Sequence, residues 1–306
     1  MSVAVRGYRI YERAQQRAEA LRTRAPRLIA ILRVVYLPLA IAVVSYMGWR
    51  AVDKVDLSSL RVWALVVGFF AALIWWLSLG LGWSTLITER FERAPFEAWC
   101  KTQATRYLPG GIWAPVTRAT TVDGRLRDKA TAVVAENVIV LTAALGIGAA
   151  WATVHHPYFL PALVLVLAPA AAGNWLERRS KVTKVGIVRT SGLYGFGFVA
   201  YGLSALFTQV AVSGVRSPTY PLYVAGAACL AWAVGLVVVI APGGVGVREV
   251  TYVWLLHGLY PHAQLEAAAV TSRLITIAAE LLVLSVILLT QRGRTTGEVK
   301  PISPDR

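Results

Sequence analysis

The sequence predicts an all-α, polytopic integral membrane helical bundle with a re-entrant helical hairpin and a broken helix at two Pro-Gly-Gly turns. Three observations carry that prediction. Of the 306 residues, 57% are hydrophobic and only 15% charged, an apolar excess over the roughly half found in soluble domains. The apolar residues lie in continuous blocks rich in Ala, Leu and Val, long enough at about 1.5 Å per residue to cross a hydrocarbon layer roughly 30 Å thick. Membrane strands would instead need short segments of alternating polarity. Finally, two semi-polar stretches between blocks each carry Pro-Gly-Gly.

The chain divides into a basic N-terminal segment (1–28), a single transmembrane domain (29–290) and a short tail (291–306). The first segment holds Arg6, Arg9, Arg13, Arg17, Arg22, Arg24 and Arg27 against Glu12 and Glu19. It has no cleavage site after a short apolar core, so it is not a signal peptide; it could lie as a surface helix on anionic lipid. Seven spans are predicted: 29–49, 62–87, 130–153, 157–175, 190–214, 219–240 and 264–290. Arginines before the first span favour a cytoplasmic N-terminus. Alternation then places basic 88–129, the Arg178 to Arg189 connection and the tail on the same side, with His155, His156 and Arg216 opposite. The net charge of +15 is therefore mostly membrane topology, and nucleic-acid binding gains little support because the arginines sit in short connections beside spans.

Between the second and third spans, residues 96–122 are broken at Pro109, Gly110 and Gly111. Proline lacks an amide hydrogen and biases its predecessor away from helix, and glycines tolerate a sharp reversal. With basic residues on both flanks, this segment is expected to enter and leave the membrane on one side. A second break, Pro242, Gly243 and Gly244, precedes a helix expected from Gly246 to Tyr260, shorter than an ordinary span. The two turns are expected to face one another across a polar cleft. Backbone freed by such breaks is tolerated at membrane depth only where it faces protein or a polar cavity, and the amide end of a half-helix favours an anion. A phosphate group suits that end.

Ionisable side chains within spans turn toward the bundle interior or a polar cavity, because exposure to lipid is costly. Glu136, Arg273 and Glu280 fit that description. Arg118, Arg248 and Arg273 are the candidate phosphate contacts, since a guanidinium fork can pair with two oxygens. Glu136, Glu249 and Glu280 would neutralise them in an empty site or meet a cationic group; a structural ion pair is the alternative for Glu136, Arg273 and Glu280. Arg273 and Glu280 share one side of a helix two turns apart, too far for an assumed pair. Arg106 is expected at the inner surface.

These residues resemble the transmembrane domain of bacterial lysylphosphatidylglycerol synthases and their stand-alone relatives. The resemblance rests on Arg106 to Trp113 with its Pro-Gly-Gly, on Arg118, on Glu136 with its neighbours, on Ala241 to Glu249, and on Ser272-Arg273. It implies translocation of a phospholipid or glycolipid across the bilayer of a bacterial inner membrane; the charge alternation puts both termini on the cytoplasmic side. About sixteen residues follow Thr290, so the resemblance implies no aminoacylating domain and no enzymatic activity. Stand-alone relatives imply a membrane glycosyltransferase or lipid synthase as partner, with an oligomer possible. A small-molecule or ion transporter and a non-transporting scaffold for such an enzyme are the competing classes.

The remaining residues invite plainer readings. No cofactor or metal site is expected: the four histidines lack metal spacing, and no Walker or dinucleotide motif is present. Cys100 and Cys229 are isolated. Most of the eleven tryptophans are expected at span ends as interfacial anchors, and Gly192, Gly195, Gly197 and Gly202 offer close helix packing. Glu136 and Glu280 are candidate proton carriers if movement is ion-coupled.

Overall fold

The computed structural model describes residues 60–107, 113–121, 126–152, 182–213, 220–238 and 242–295, with Tyr46 and Trp49. Among these there is no strand, and five helices are long and apolar enough to span a membrane. They are α1 (Val62–Thr88), α4 (Leu126–Ala152), α5 (Lys184–Ser213), α6 (Tyr220–Val237) and α8 (His262–Thr295). Between them lie α2 (Arg93–Gln103), a 3-10 turn (Ala104–Tyr107), α3 (Trp113–Ala119), a second 3-10 turn (Pro242–Gly244) and α7 (Val247–Leu255). The protein is a polytopic helical membrane bundle. The expected spans 29–49 and 157–175, and the turn at Pro109, Gly110 and Gly111, lie outside the described residues.

Each long helix is apolar on most sides, as a span must be where lipid and neighbouring helices are both apolar. A stripe of Trp63, Val66, Val67, Phe70 and Ile74 on α1, and Leu274, Leu281, Leu282 and Leu289 on α8, remain exposed. Helix ends follow local chemistry. The left-handed residue Glu89 (φ 62°) closes α1 with its N–H on the Thr85 carbonyl at 2.9 Å, and Pro221 sits in the first turn of α6, where its missing N–H costs nothing. Lys184 and Arg189 extend α5 six residues beyond the expected start, because long basic side chains can reach the polar zone from a helical backbone.

The central seam runs antiparallel between α1 and α5 and is built on small residues. A Cβ on Gly68 would lie 3.2 Å from the Ser204 carbonyl, one on Gly186 3.2 Å from the Leu86 carbonyl, and one on Gly197 3.0 Å from the Ser78 Cβ. At Gly82 it would fall 2.1 Å from the Tyr194 ring. Of the expected glycine series, Gly197 and Gly202 take close contacts, whereas Gly192 and Gly195 meet nothing within 4 Å. The backbone of Arg61 bonds to Ala211 at one end, and Arg189 donates to the Glu89 carbonyl at 2.6 Å at the other.

Tryptophan placement departs from expectation. Trp75, Trp76, Trp83, Trp99 and Trp232 are buried, packed with Phe198, Tyr194 and Tyr201 in the core, while Trp63 and Trp254 are exposed. The partners of the buried rings come from distant helices, where aromatic bulk fills space left by glycine and alanine. The helix after the second break is also shorter than expected. It ends at Leu255, and a turn with Gly258 at φ 83° carries the chain to Tyr260. Tyr260 meets the ring of Tyr220 at 6.1 Å, so the segment returns to the end of the bundle at which α6 began.

The Gly82 contact leads to a stability prediction. Tyr194 has no exposed surface and nowhere to retreat, so Gly82→Ala should destabilise the protein by about 1–3 kcal/mol, the usual range for overpacking. Gly192→Ala should be neutral or slightly stabilising. Thermal unfolding of detergent-purified protein measures both, and equal midpoints for the two variants would contradict the seam.

Candidate functional site

Among the described residues, three groups of charged side chains inside this bundle join elements far apart in sequence. The first joins α3 to α4. Arg118 and Glu136 form a buried ion pair; the Trp99 Nε1 donates to Glu136 at 2.8 Å and the Tyr194 hydroxyl at 3.4 Å. The Arg118 guanidinium lies between the rings of Trp83 and Trp99, 5.4 and 5.3 Å from their centroids. Aromatic faces stabilise a desolvated guanidinium, and both carboxylate oxygens accept hydrogen bonds. The two side chains form a structural staple, with Arg118 and Glu136 taking each other as partners among these rings.

The second group ties α2 and the turn after it to α8. Arg93 Nη2 donates to Thr290 Oγ1 at 3.1 Å, Gln291 donates to Glu97, and Arg106 pairs with Glu280. Arg106 is therefore turned inward and not toward a surface. Thr290 and Glu280 are ten residues apart on α8, about 15 Å along its axis, so the segment from Arg93 to Arg106 descends that far beside it. The chain then comes back: Thr105 and Thr117 hydroxyls meet at 3.0 Å. The turn at Ala104–Tyr107 packs against Pro242–Gly244, which brings the residues just before the first Pro-Gly-Gly against the second.

The third group is the one with room in it. The turn at Pro242–Gly244 puts Gly243 and Gly244 at φ 59° and 70°, a conformation that glycine adopts without steric cost, and α7 starts directly after it. Glu249 accepts from the Gly246 N–H at 2.7 Å, capping its own helix. Arg273 of α8 donates to the Gly243 carbonyl at 2.9 Å, and its Nε lies 3.9 Å from Glu249 Oε1. As the sequence spacing suggests, Arg273 and Glu280 do not pair with each other.

Arg248 differs from the other interior arginines. It is 9% exposed and among the described residues makes neither a hydrogen bond nor an ion pair. Its guanidinium rests on the Trp232 ring, 4.9 Å from the centroid. The groove holding its stem exists only because Gly235 and Gly244 lack side chains, since a Cβ would lie 2.4 Å from Arg248 Cγ or 2.5 Å from its Nε. Arg248 lines a cavity of about 30 Å³ shared with Tyr201, Glu249, Tyr252, Ser272, Arg273 and Thr276. That volume takes about two waters or one small polar group. A larger hollow near Thr88 and Thr121 has Glu92 and Asp128 as the charged residues among the described part of its lining.

Of the expected site residues, Arg248, Glu249 and Arg273 come together, Arg106 and Glu280 pair off, and Arg118 and Glu136 form the separate staple. Sequence reasoning missed the aromatic supports Trp232, Trp83, Trp99 and Tyr194, for which no local signal exists. It also passed over Glu266, which is buried on α8 and 3.4 Å from His262; a carboxylate inside an apolar block was the available clue.

The fold and these groups define a multi-pass helical membrane protein with an internal cationic hollow. No family model matches the chain, and no curated protein or solved structure matches it either.

The staple predicts a specific pattern of stability. Glu136→Ala or Arg118→Ala strands a buried charge and should cost about 3–5 kcal/mol, whereas the paired change Arg118→Met with Glu136→Leu should recover much of the loss. Thermal unfolding of the three variants tests this. A double variant no more stable than either single one would show that the pair is not closed in the way described.

Proposed function

We propose that the protein translocates a phospholipid or glycolipid with a phosphate-containing head group across the bilayer. The carrying observation is Arg248: a buried guanidinium with no counter-ion among the described residues, at the start of a short helix, beside an interrupted backbone. Burying an unpaired charge is expensive, so the arrangement makes energetic sense if an anion visits. The amide end of α7 adds its favourable dipole. Arg273, already oriented by the Gly243 carbonyl, supplies a second guanidinium.

The descent of α2 along about 15 Å of α8, followed by the return through Thr105 and Thr117, supports a re-entrant hairpin formed around Pro109, Gly110 and Gly111. The resemblance to the membrane domain of lysylphosphatidylglycerol synthases favours the same activity. On this reading the acyl chains stay in the bilayer while the head group passes the hollow. The chain makes no lipid itself; a membrane glycosyltransferase or lipid synthase supplies it, in a bacterial inner membrane with both chain ends cytoplasmic.

A small-anion transporter is the second reading, favoured by the cavity volume of about 30 Å³. Proteoliposomes separate the two. Labelled phospholipids and a polyprenyl-phosphate sugar should exchange between leaflets in the presence of the protein, and Arg248→Ala should slow exchange at least tenfold without shifting the thermal midpoint. Uptake of phosphate or sulfate into the same vesicles with no lipid exchange would overturn lipid translocation in favour of anion transport.

A further inference from the structure

Glu249 holds a position that an incoming anion would want. One carboxylate oxygen caps the Gly246 N–H at the start of α7, and the other faces Arg273 at 3.9 Å. That contact is a charge contact without a hydrogen bond, since the Arg273 Nε has no hydrogen-bond partner among the described residues. Arg248, next to it in sequence, lines the same cavity and, among the described residues, has the Trp232 ring but no hydrogen-bond or ion-pair partner. The cavity therefore contains two guanidiniums and one carboxylate, a net charge of +1, with only one guanidinium committed to the carboxylate.

We propose that this cavity binds one singly charged oxyanion, and that Glu249 is a tethered competitor that holds Arg273 back and limits the affinity. The ligand enters on Arg248. It gains Arg273 only by outcompeting Glu249, whose charge it also opposes at close range in a water-poor cavity where such repulsion is strong. Glu249 keeps the cavity from being left with two bare cations when empty, and it keeps the bound state weak enough to release. This rests on the head-group reading for the identity of the visitor, but not for the competition itself.

Glu249→Gln tests the competition cleanly, because glutamine retains an acceptor for the Gly246 N–H while removing the charge. Binding of two probes to full-length protein in phosphate-free detergent is measured by calorimetry: dioctanoyl phosphatidylglycerol, a soluble lipid phosphodiester, and inorganic phosphate at a pH where it is the monoanion. The wild type should bind weakly, Glu249→Gln at least tenfold more tightly, and Arg248→Gln at least tenfold more weakly. Adding Arg273→Gln to Glu249→Gln should abolish most of the gain. If Glu249→Gln does not fold, Glu249→Ala, which removes the same charge and frees Arg273, should tighten binding in the same direction. Unchanged or weaker binding by whichever variant folds would overturn the proposal, as would no binding of either probe to any form. Binding of phosphate but not the lipid, with the same order of variants, would leave the competition standing and overturn the head-group reading.

Discussion

The structure is organised around the cost of placing charge inside an apolar bundle. Each interior arginine must find a carboxylate, a carbonyl or an aromatic face, because neither lipid nor the surrounding alanine and leucine side chains can solvate it. Arg118 takes Glu136 and two indoles, Arg106 takes Glu280, and Arg273 takes a carbonyl and a more distant carboxylate. These contacts fasten the short elements α2, α3 and α7 to the long helices, beside the apolar packing of Trp99, Tyr252 and Val253 in the core. Only Arg248, among the described residues, is left on an indole ring without an anionic partner. The asymmetry gives the interior one position with chemistry to spare.

The connection between staple and seam adds a second constraint. Tyr194 occupies the space above Gly82 and directs its hydroxyl at Glu136, so helix packing between α1 and α5 and the ion pair between α3 and α4 share a side chain. Trp99 does the same from α2, meeting Trp76 at 4.8 Å while its indole N–H reaches Glu136. Displacement at one of these contacts must therefore be felt at the other. Packed aromatic cores have few intermediate arrangements to relax into, which makes this half of the molecule one mechanical piece.

The long helices were legible in the sequence because span length is a property of a continuous apolar block, and α1, α4, α5, α6 and α8 fall close to the blocks that announce them. The Pro242–Gly244 break was legible for a similar reason, since proline and glycine act locally. The end of α7 at Leu255 was harder to see, although Gly258 stood in the sequence as a possible stop. Partner choice was not legible at all. Arg118 and Glu136 are eighteen residues apart on different helices, and nothing local distinguishes an arginine held by tryptophans from one, such as Arg248, left facing a cavity. The buried tryptophans were misjudged as interfacial for the same reason, because the glycines that make room for them belong to other helices.

The backbone at each end of α7 has a mechanical consequence. Gly243, Gly244 and Gly246 lie in the left-handed region just before it, and Gly258 does so just after. Glycine reaches this region at little energetic penalty, so both ends of this nine-residue rod turn the chain sharply without strain. Any tilt of the rod carries Arg248 and Glu249 together, against the tie of Tyr252 to Gln209 on α5. The lever and its counterweight are adjacent residues on one turn of helix.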